Sequence, residues 1–176
     1  LINSGKIEER IIIAPHEVHE SHINSIERAL TIPSIKLSTC NEQTDFREIK
    51  VLIIDCIGLL ANAYSYGDYA YVGGAFGKGL HNILEPAVFG LPVLFGPHFG
   101  KFPEAGLFIR EGIGFPISTP EEFENKLHSI DHDLNACGTA DLDRLTKAFQ
   151  ITALRTRAAR FWNPCTDRNL GVLRQG

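Results

Sequence analysis

A glycine-rich segment is the part of this sequence best suited to hold an anionic ligand. Four glycines fall within the seven residues GGAFGKG at positions 73–79, directly after the apolar run YAYV. Glycine lets the backbone approach a ligand with no Cβ in the way, and a helix that opens after the loop aims N–H groups at an anion. The pattern predicts a phosphate site built from Gly73, Gly74 and Gly79, with Lys78 as the local positive charge.

The loop fits neither common glycine fingerprint. GGAFGKGL is not the G-x-G-x-x-G of dinucleotide folds, and Lys78 is not followed by the Ser or Thr of a P-loop. No G-x-S-x-G nucleophile elbow, H-E-x-x-H or D-x-D metal pair occurs in the sequence. Hydrolase and metalloenzyme functions therefore lack support, and we expect no metal and no cofactor.

Three polar residues follow the loop. On a helix that begins near Asn82, the side chains of His81, Asn82 and Glu85 lie near one face and can meet one ligand. A carboxylate at Glu85 accepts two hydroxyl hydrogen bonds, which is the geometry that a ribose diol needs. The structural alternative is a capping box, with Asn82 as N-cap and Glu85 as its partner. Pro86 counts against that alternative because proline distorts a helix.

Other candidate residues follow predicted strands. His16 lies in a loop between a strand and a helix, and we interpret it as facing the ligand. His98 ends the segment Gly-Pro-His after a later strand and is predicted to point into the same crevice as the glycine loop. The spacing of His19 and His22 resembles a metal site, but we interpret both as surface residues. Asp55 is interpreted as a helix cap.

Short apolar strands alternate with helices along most of the chain. Because this alternation is typical of a parallel sheet covered on both faces, we predict an α/β fold with a Rossmann-like sheet. The ligands of such folds lie beyond the carboxyl ends of the strands, where the loops described above fall. Strands are predicted at 11–14, 51–54, 69–72, 92–95 and, as an edge strand containing a proline, 114–117; helices are predicted at 17–30, 58–64, 82–89 and 102–110 and from Thr119 onward.

The alternation ends near residue 130. We predict a domain at 1–130 and a basic, partly helical tail at 131–176. The tail carries one predicted helix at 145–161 and has no helix or strand signal from Asn163 onward. The first residue is Leu rather than Met, from which we expect a piece of a longer protein.

Composition narrows the classes of function. The chain has 176 residues, of which 44% are hydrophobic, so a single globular domain is expected. A net charge of -4 and a pI near 6.0 disfavour nucleic acid as a partner. The four cysteines form no C-x-x-C pair, which favours reduced thiols in a cytosolic setting. No apolar run approaches the roughly 20 residues of a membrane span, so we expect this piece to be soluble.

Four segments together resemble the C-terminal half of the 3-deoxy-D-manno-octulosonic acid (Kdo) transferases. The segments that carry the resemblance follow the family's order and spacing, and the resemblance extends over about residues 11–127. Its most specific part is G-L-H-N-x-L-E-P followed by G-x-P-V-x-x-G-P. The segments are VLIIDCIGLL at 51–60, YVGGAF at 71–76, GLHNILEPA at 79–87 and GLPVLFGPH at 90–98.

The resemblance implies the C-terminal, donor-binding half of a GT-B glycosyltransferase. The donor would be CMP-Kdo, and the acceptor a lipid A precursor at the cytoplasmic face of the bacterial inner membrane. Gly73, Gly74, His81 and Asn82 would approach the donor phosphate or sugar carboxylate, and Glu85 would hold the ribose hydroxyls. Other members carry an Arg-His pair where this chain has Pro-His, so the arginine has no counterpart here.

The same resemblance implies that this chain carries no catalytic residue. The general base of the family, a glutamate, belongs to the N-terminal domain, so the piece alone is expected to bind donor without turnover. Without that domain, part of the surface of this piece would be exposed. We therefore keep a homo-oligomer of the piece as a hypothesis. Two alternatives remain open: the donor domain of another GT-B enzyme, such as a UDP-sugar transferase or an epimerase, and a non-catalytic nucleotide-binding module.

Overall fold

A parallel sheet of seven strands organises the chain. The computed structural model describes residues 1–7, 9–77, 79–136 and 170–174. The strand order is β2-β3-β1-β7-β4-β5-β6, and every pair of neighbours is parallel. The strands are β1 (Arg10–Ile13), β2 (Ser34–Lys36), β3 (Val51–Ile53), β4 (Tyr69–Val72), β5 (Val93–Phe95), β6 (Gly114–Pro116) and β7 (Leu170–Arg174).

Five α-helices accompany the strands in the described part of the chain. Two short 3₁₀ turns, Ile2–Ser4 and Leu37–Thr39, complete the secondary structure of the same residues. The predicted α/β fold with a parallel sheet is confirmed, as is the edge position of the proline-containing strand β6. The helices are α1 (Glu20–Ala29), α2 (Leu60–Tyr64), α3 (Leu84–Val88), α4 (Pro103–Arg110) and α5 (Pro120–Ala136).

Alternate strand residues face opposite sides of the sheet and pack against different helices. Ile11 and Ile13 of β1 pack in the same cluster as Ile23 of α1 and Phe123 of α5. The residue between them, Ile12, belongs instead to a cluster with α2. On β5, likewise, Val93 and Phe95 pack with Phe108 of α4, whereas Leu94 packs in the cluster with α1 and α5. Because both faces carry apolar side chains, helices cover both.

Several boundaries differ from the sequence predictions. Helix α1 begins at Glu20 rather than at residue 17, and α3 begins at Leu84 rather than at Asn82. Strand β2 was not predicted, because its SIK segment has no apolar alternation. Helix α5 continues to Ala136, past the predicted end of the regular pattern at residue 130.

The largest difference is at the end of the chain. The expectation of no strand after Asn163 is wrong, since β7 lies in the middle of the sheet between β1 and β4. A central strand gains backbone hydrogen bonds on both sides, which a short segment does not reveal in its own sequence. The helix predicted at 145–161 lies outside the described residues, and the domain division near residue 130 stays a prediction.

Candidate functional site

The loops that follow β1 and β4 meet at the carboxyl edge of the sheet. His16 lies in the loop between β1 and α1, and His81 lies between β4 and α3. Their imidazole rings stack with centroids 5.1 Å apart and an angle of 29° between the ring planes. Two predicted site residues that are distant in sequence are thus brought into direct contact. His16 is exposed and His81 is half-buried, so the pair lies at the protein surface.

Gly74 gives the glycine loop its shape. Its φ is +90°, a conformation that favours glycine. A Cβ at this position would overlap the carbonyl oxygen of Gly79 and would lie 2.7 Å from Cδ2 of His81. The bare Cα therefore makes room for two other parts of the protein, whereas the sequence pattern led us to expect room for a ligand.

Several backbone N–H groups of this loop donate within the protein. The N–H groups of Gly77 and Gly79 both donate to the carbonyl of Gly74, at 2.9 and 3.4 Å. The N–H of His81 donates to the carbonyl of Gly73 at 3.2 Å. These three groups do not point at an anion as expected, because the loop folds back on itself before the helix begins. Lys78, the predicted positive charge, lies outside the described residues.

The loop after β5 is packed against the glycine loop. The backbone N–H of His98 donates to the carbonyl of Ala75 at 2.9 Å. A Cβ at Gly96 would lie 2.8 Å from the carbonyl carbon of Ala75, so the two loops approach as closely as their backbones allow. The structure thus places His98, whose side chain is exposed, beside the glycine loop.

Sequence reasoning missed two contributors to this packing. The sequence predicts for Gly96 only a place at the end of a strand, and for Phe102 only a place at the start of a helix. A Cβ at Gly79 would lie 3.3 Å from Cζ of Phe102, which makes this phenyl ring one wall of the glycine loop. The Gly-Pro motif after β5 was the available signal for Gly96; Phe102 has no distinguishing sequence signal.

Asn82 forms a turn directly before the short helix α3. Its Oδ1 accepts a hydrogen bond from the N–H of Leu84 at 3.0 Å, two residues further along the chain. Glu85 lies in the first turn of α3 and is half-buried, and Pro86 is buried. The structural alternative with Asn82 as N-cap is wrong, since Ile83 occupies the N-cap position of α3 and no side chain caps it. The helical face expected from Asn82 onward is also absent, because α3 begins at Leu84.

Asp55 is not a helix cap, which corrects the prediction. Its carboxylate accepts hydrogen bonds from the N–H of Ser38, at 2.9 Å, and from the Ser38 hydroxyl. Helix α2 begins only at Leu60. Burial raises the pKa of Asp55, but the hydrogen bonds from Ser38 and the charge of Lys36 together lower it by more. The pKa of Asp55 therefore lies below its ordinary value. Asp55 ties the turn after β2 to the end of β3.

His19 and His22 lie at the start of α1. His19 is exposed at the N-cap position of α1, as a surface residue should be. His22 is half-buried and lines a cavity. Within the described residues, no three His, Cys, Asp or Glu side chains come together as a metal ion would need.

The cavity beside His22 has a volume of about 660 Å³ and lies between α1 and the start of α5. None of the nine predicted site residues lines it. Its walls are mainly apolar, which suits neither a phosphate nor a ribose, so we place the candidate site at the loops and not in this cavity. Lining residues include Ile2, Ile13, Ile26, Tyr71, Ile117 and Phe123.

No helix within the described ranges is long and apolar enough to cross a membrane.

Comparison with known proteins finds several 3-deoxy-D-manno-octulosonic acid transferases and a bifunctional glycosyltransferase/methyltransferase among the relatives. No protein-family model matches the chain. It is 39% identical over 82 residues to a 3-deoxy-D-manno-octulosonic acid transferase of Aquifex aeolicus (strain VF5), a match that covers 46% of this chain and 23% of the relative. It is 37% identical over 120 residues to the transferase of the same name from Chlamydia pneumoniae, covering 66% of this chain and 27% of the relative. The chain thus spans about a quarter of the length of these relatives.

A solved structure has the same fold. The crystal structure of the C-terminal CMP-Kdo binding domain of WaaA from Acinetobacter baumannii superposes with a TM-score of 0.62. The match covers 83% of this chain and 90% of that domain, at 15% sequence identity. At this identity the similarity establishes the fold.

Proposed function

We propose that this chain, which is similar to Kdo transferases over part of its length, is the donor-binding half of a GT-B glycosyltransferase that moves Kdo from CMP-Kdo to a lipid A precursor. The observation that carries the proposal is the contact between His16 and His81. It joins the loops after β1 and β4 at the carboxyl edge of the parallel sheet, where α/β folds bind nucleotides. The nature of the sugar rests on the names of the relatives.

Transfer from CMP-Kdo needs a site that stabilises its leaving group. An acceptor hydroxyl forms a bond to the anomeric carbon of Kdo, and the bond from that carbon to the CMP phosphate breaks. Negative charge then develops on the phosphate oxygen, and fixed donors or positive charge near it lower the barrier. We assign this role to the imidazole of His81, with the side chains of His98 and Lys78 as further donors.

Glu85 is assigned to the ribose. A carboxylate acceptor pairs with two vicinal hydroxyls, and Glu85 lies in the first turn of α3, four residues after His81. We assign the phosphate to His81 in the loop and the ribose to Glu85 in the helix that follows it. Gly73, Gly74 and Gly79 shape the loop around them, and Asn82 forms the turn that leads into the helix that carries Glu85.

The remaining parts of the reaction are assigned to a further domain. The glutamate base and the acceptor site would belong to the N-terminal half of the enzyme, at the cytoplasmic face of the inner membrane. This chain alone would bind CMP-Kdo without turning it over.

Nucleotide preference tests the proposal directly. Isothermal titration of the 176-residue chain with CMP and with UDP should give tighter binding of CMP. Tighter binding of UDP would reject the Kdo assignment in favour of a UDP-sugar enzyme. Absence of binding by either nucleotide would reject the donor site itself.

Glu85→Gln tests the assignment of the ribose contact. We expect CMP affinity to fall by about tenfold, the effect of losing a hydrogen bond to a charged group, with no change in the urea midpoint. Glu104→Gln is the matched control, since Glu104 occupies the first turn of α4 as Glu85 does in α3. Loss of folding in Glu85→Gln, without the same loss in Glu104→Gln, would assign Glu85 a structural role instead.

A further inference from the structure

We propose that His16 is a positioning residue for the imidazole of His81, and that it acts on the donor through that ring. The inference rests on the proposed function, in which His81 contacts the donor. It reassigns His16, which the sequence pattern led us to interpret as facing the ligand. Three restraints on His81 carry the argument.

The first restraint acts on the backbone of His81. Its N–H donates to the carbonyl of Gly73 at 3.2 Å, which fixes the chain where it leaves the glycine loop. The side chain therefore starts from a defined point. Its remaining freedom lies in the two torsions that turn the ring.

The second restraint acts on one edge of the ring. A Cβ on Gly74 would lie 2.7 Å from Cδ2 and 3.0 Å from Nε2 of His81. The ring edge thus lies directly against the bare Cα of Gly74. Any side chain at position 74 would push the ring out of this place.

The third restraint acts on the face of the ring. The imidazole of His16 stacks on it at 5.1 Å between centroids, with the planes inclined by 29°. Stacking of aromatic rings at this separation is attractive. Because His16 comes from the β1–α1 loop, it braces His81 from outside the loop that carries it. A ring held in one orientation before the ligand arrives loses less entropy on binding.

A double-mutant cycle distinguishes positioning from direct contact. CMP titrations compare His16→Ala and His16→Phe, each in the wild-type and His81→Ala backgrounds. We expect His16→Ala to bind CMP about fivefold more weakly, the cost of freeing one side chain. His16→Phe should stay within about twofold of wild type, since phenylalanine also stacks. His16→Ala should cause no further loss once His81 is alanine.

Two results of this cycle would overturn the proposal. An equal loss from His16→Ala in both backgrounds would mean that His16 contacts the donor directly. A loss in His16→Phe as large as that in His16→Ala would mean that the imidazole itself, and not its stacking, is needed. His19→Ala, which removes an exposed histidine from the same loop, is the control for a general change in local charge.

A measurement without ligand separates this proposal from the proposed function. In NMR spectra of the full chain, the ring protons of His81 should keep their dispersed shifts in His16→Phe and move toward random-coil values in His16→Ala. Unchanged His81 shifts in His16→Ala would overturn the positioning role. If the shifts move as expected but wild type binds no CMP, the positioning role holds and the proposed function fails.

Discussion

At the scale of single residues, Gly58 and Gly74 show how one backbone conformation meets two different surroundings. Both have φ of +90°. A Cβ at Gly58 would have nothing within 4 Å, whereas a Cβ at Gly74 would overlap the carbonyl of Gly79 and the ring of His81. At Gly58 only the torsion requires glycine, whereas at Gly74 the packing of the candidate site requires it as well.

Alanine at the two positions should therefore have different costs. We expect Gly58→Ala to destabilise the fold by about 1 kcal/mol, the strain of a left-handed residue. Gly74→Ala should cost about 3 kcal/mol, because the overlap with Gly79 is added to the same strain. Urea unfolding followed by circular dichroism measures both. Equal costs would show that the glycine loop relaxes around the new methyl group.

Asp55 and Ser38 give a pH-dependent contribution to stability. Because the pKa of Asp55 is lowered in the folded state, the ionised form stabilises the fold at neutral pH. This contribution is complete above the ordinary pKa of about 4 and is lost as the pH falls through the lower folded value. Asp55→Asn should cost about 1 to 2 kcal/mol at pH 7 and lose its effect in acid.

Ser38→Ala is the partner variant for that measurement. It removes the hydroxyl that donates to Asp55, so the double variant should cost little more than either single one. Urea midpoints measured between pH 7 and pH 3 test both statements. A constant difference between wild type and Asp55→Asn over this range would contradict the linkage.

At the scale of elements, the start of helix α5 is determined by the residues next to it. The sequence TPEE predicts a cap, a first-turn proline and acids at the positive end of the helix. In the structure the Thr119 hydroxyl accepts from the N–H of Glu122 at 3.2 Å, and Glu122 in turn accepts from the N–H of Ser118 at 2.7 Å. The predicted start of this helix is confirmed because all its determinants lie within five residues.

Thr119→Ala should destabilise the fold by about 1 kcal/mol, the usual cost of removing an N-cap side chain. Thr119→Ser keeps the hydroxyl and should restore most of that loss. Thermal unfolding by calorimetry compares the two variants. Equal stabilities of Thr119→Ala and Thr119→Ser would mean that the cap is not formed in solution.

At the scale of the whole molecule, the arrangement depends on β7. This strand lies between β1 and β4, whose following loops carry His16 and His81. It thus sets the spacing of the two strands that lead into the candidate site. A strand at this place belongs to the core of the sheet, although it comes last in the chain.

Proline in β7 tests that arrangement. Val172→Pro should cost about 3 kcal/mol or more, because proline cannot donate to the ladder of a central strand. Val172→Ala, which keeps the backbone N–H, is the control. In Val172→Pro, the urea midpoint should fall and the NMR chemical shifts of the His16 and His81 ring protons should change with it. Unchanged stability would show that the segment does not pair inside the sheet.

Local sequence was enough to predict the alternation of strands and helices, the edge strand β6 and the cap of α5. Each depends on the periodicity, the turn residues or the proline of a short segment. Tertiary structure alone decided that β7 divides the sheet, that Asp55 binds Ser38 rather than a helix, and that Gly74 accommodates His81. These outcomes depend on contacts between distant segments. A carboxylate accepts hydrogen bonds from any donor, and a bare Cα leaves room for any group, that the fold brings next to it.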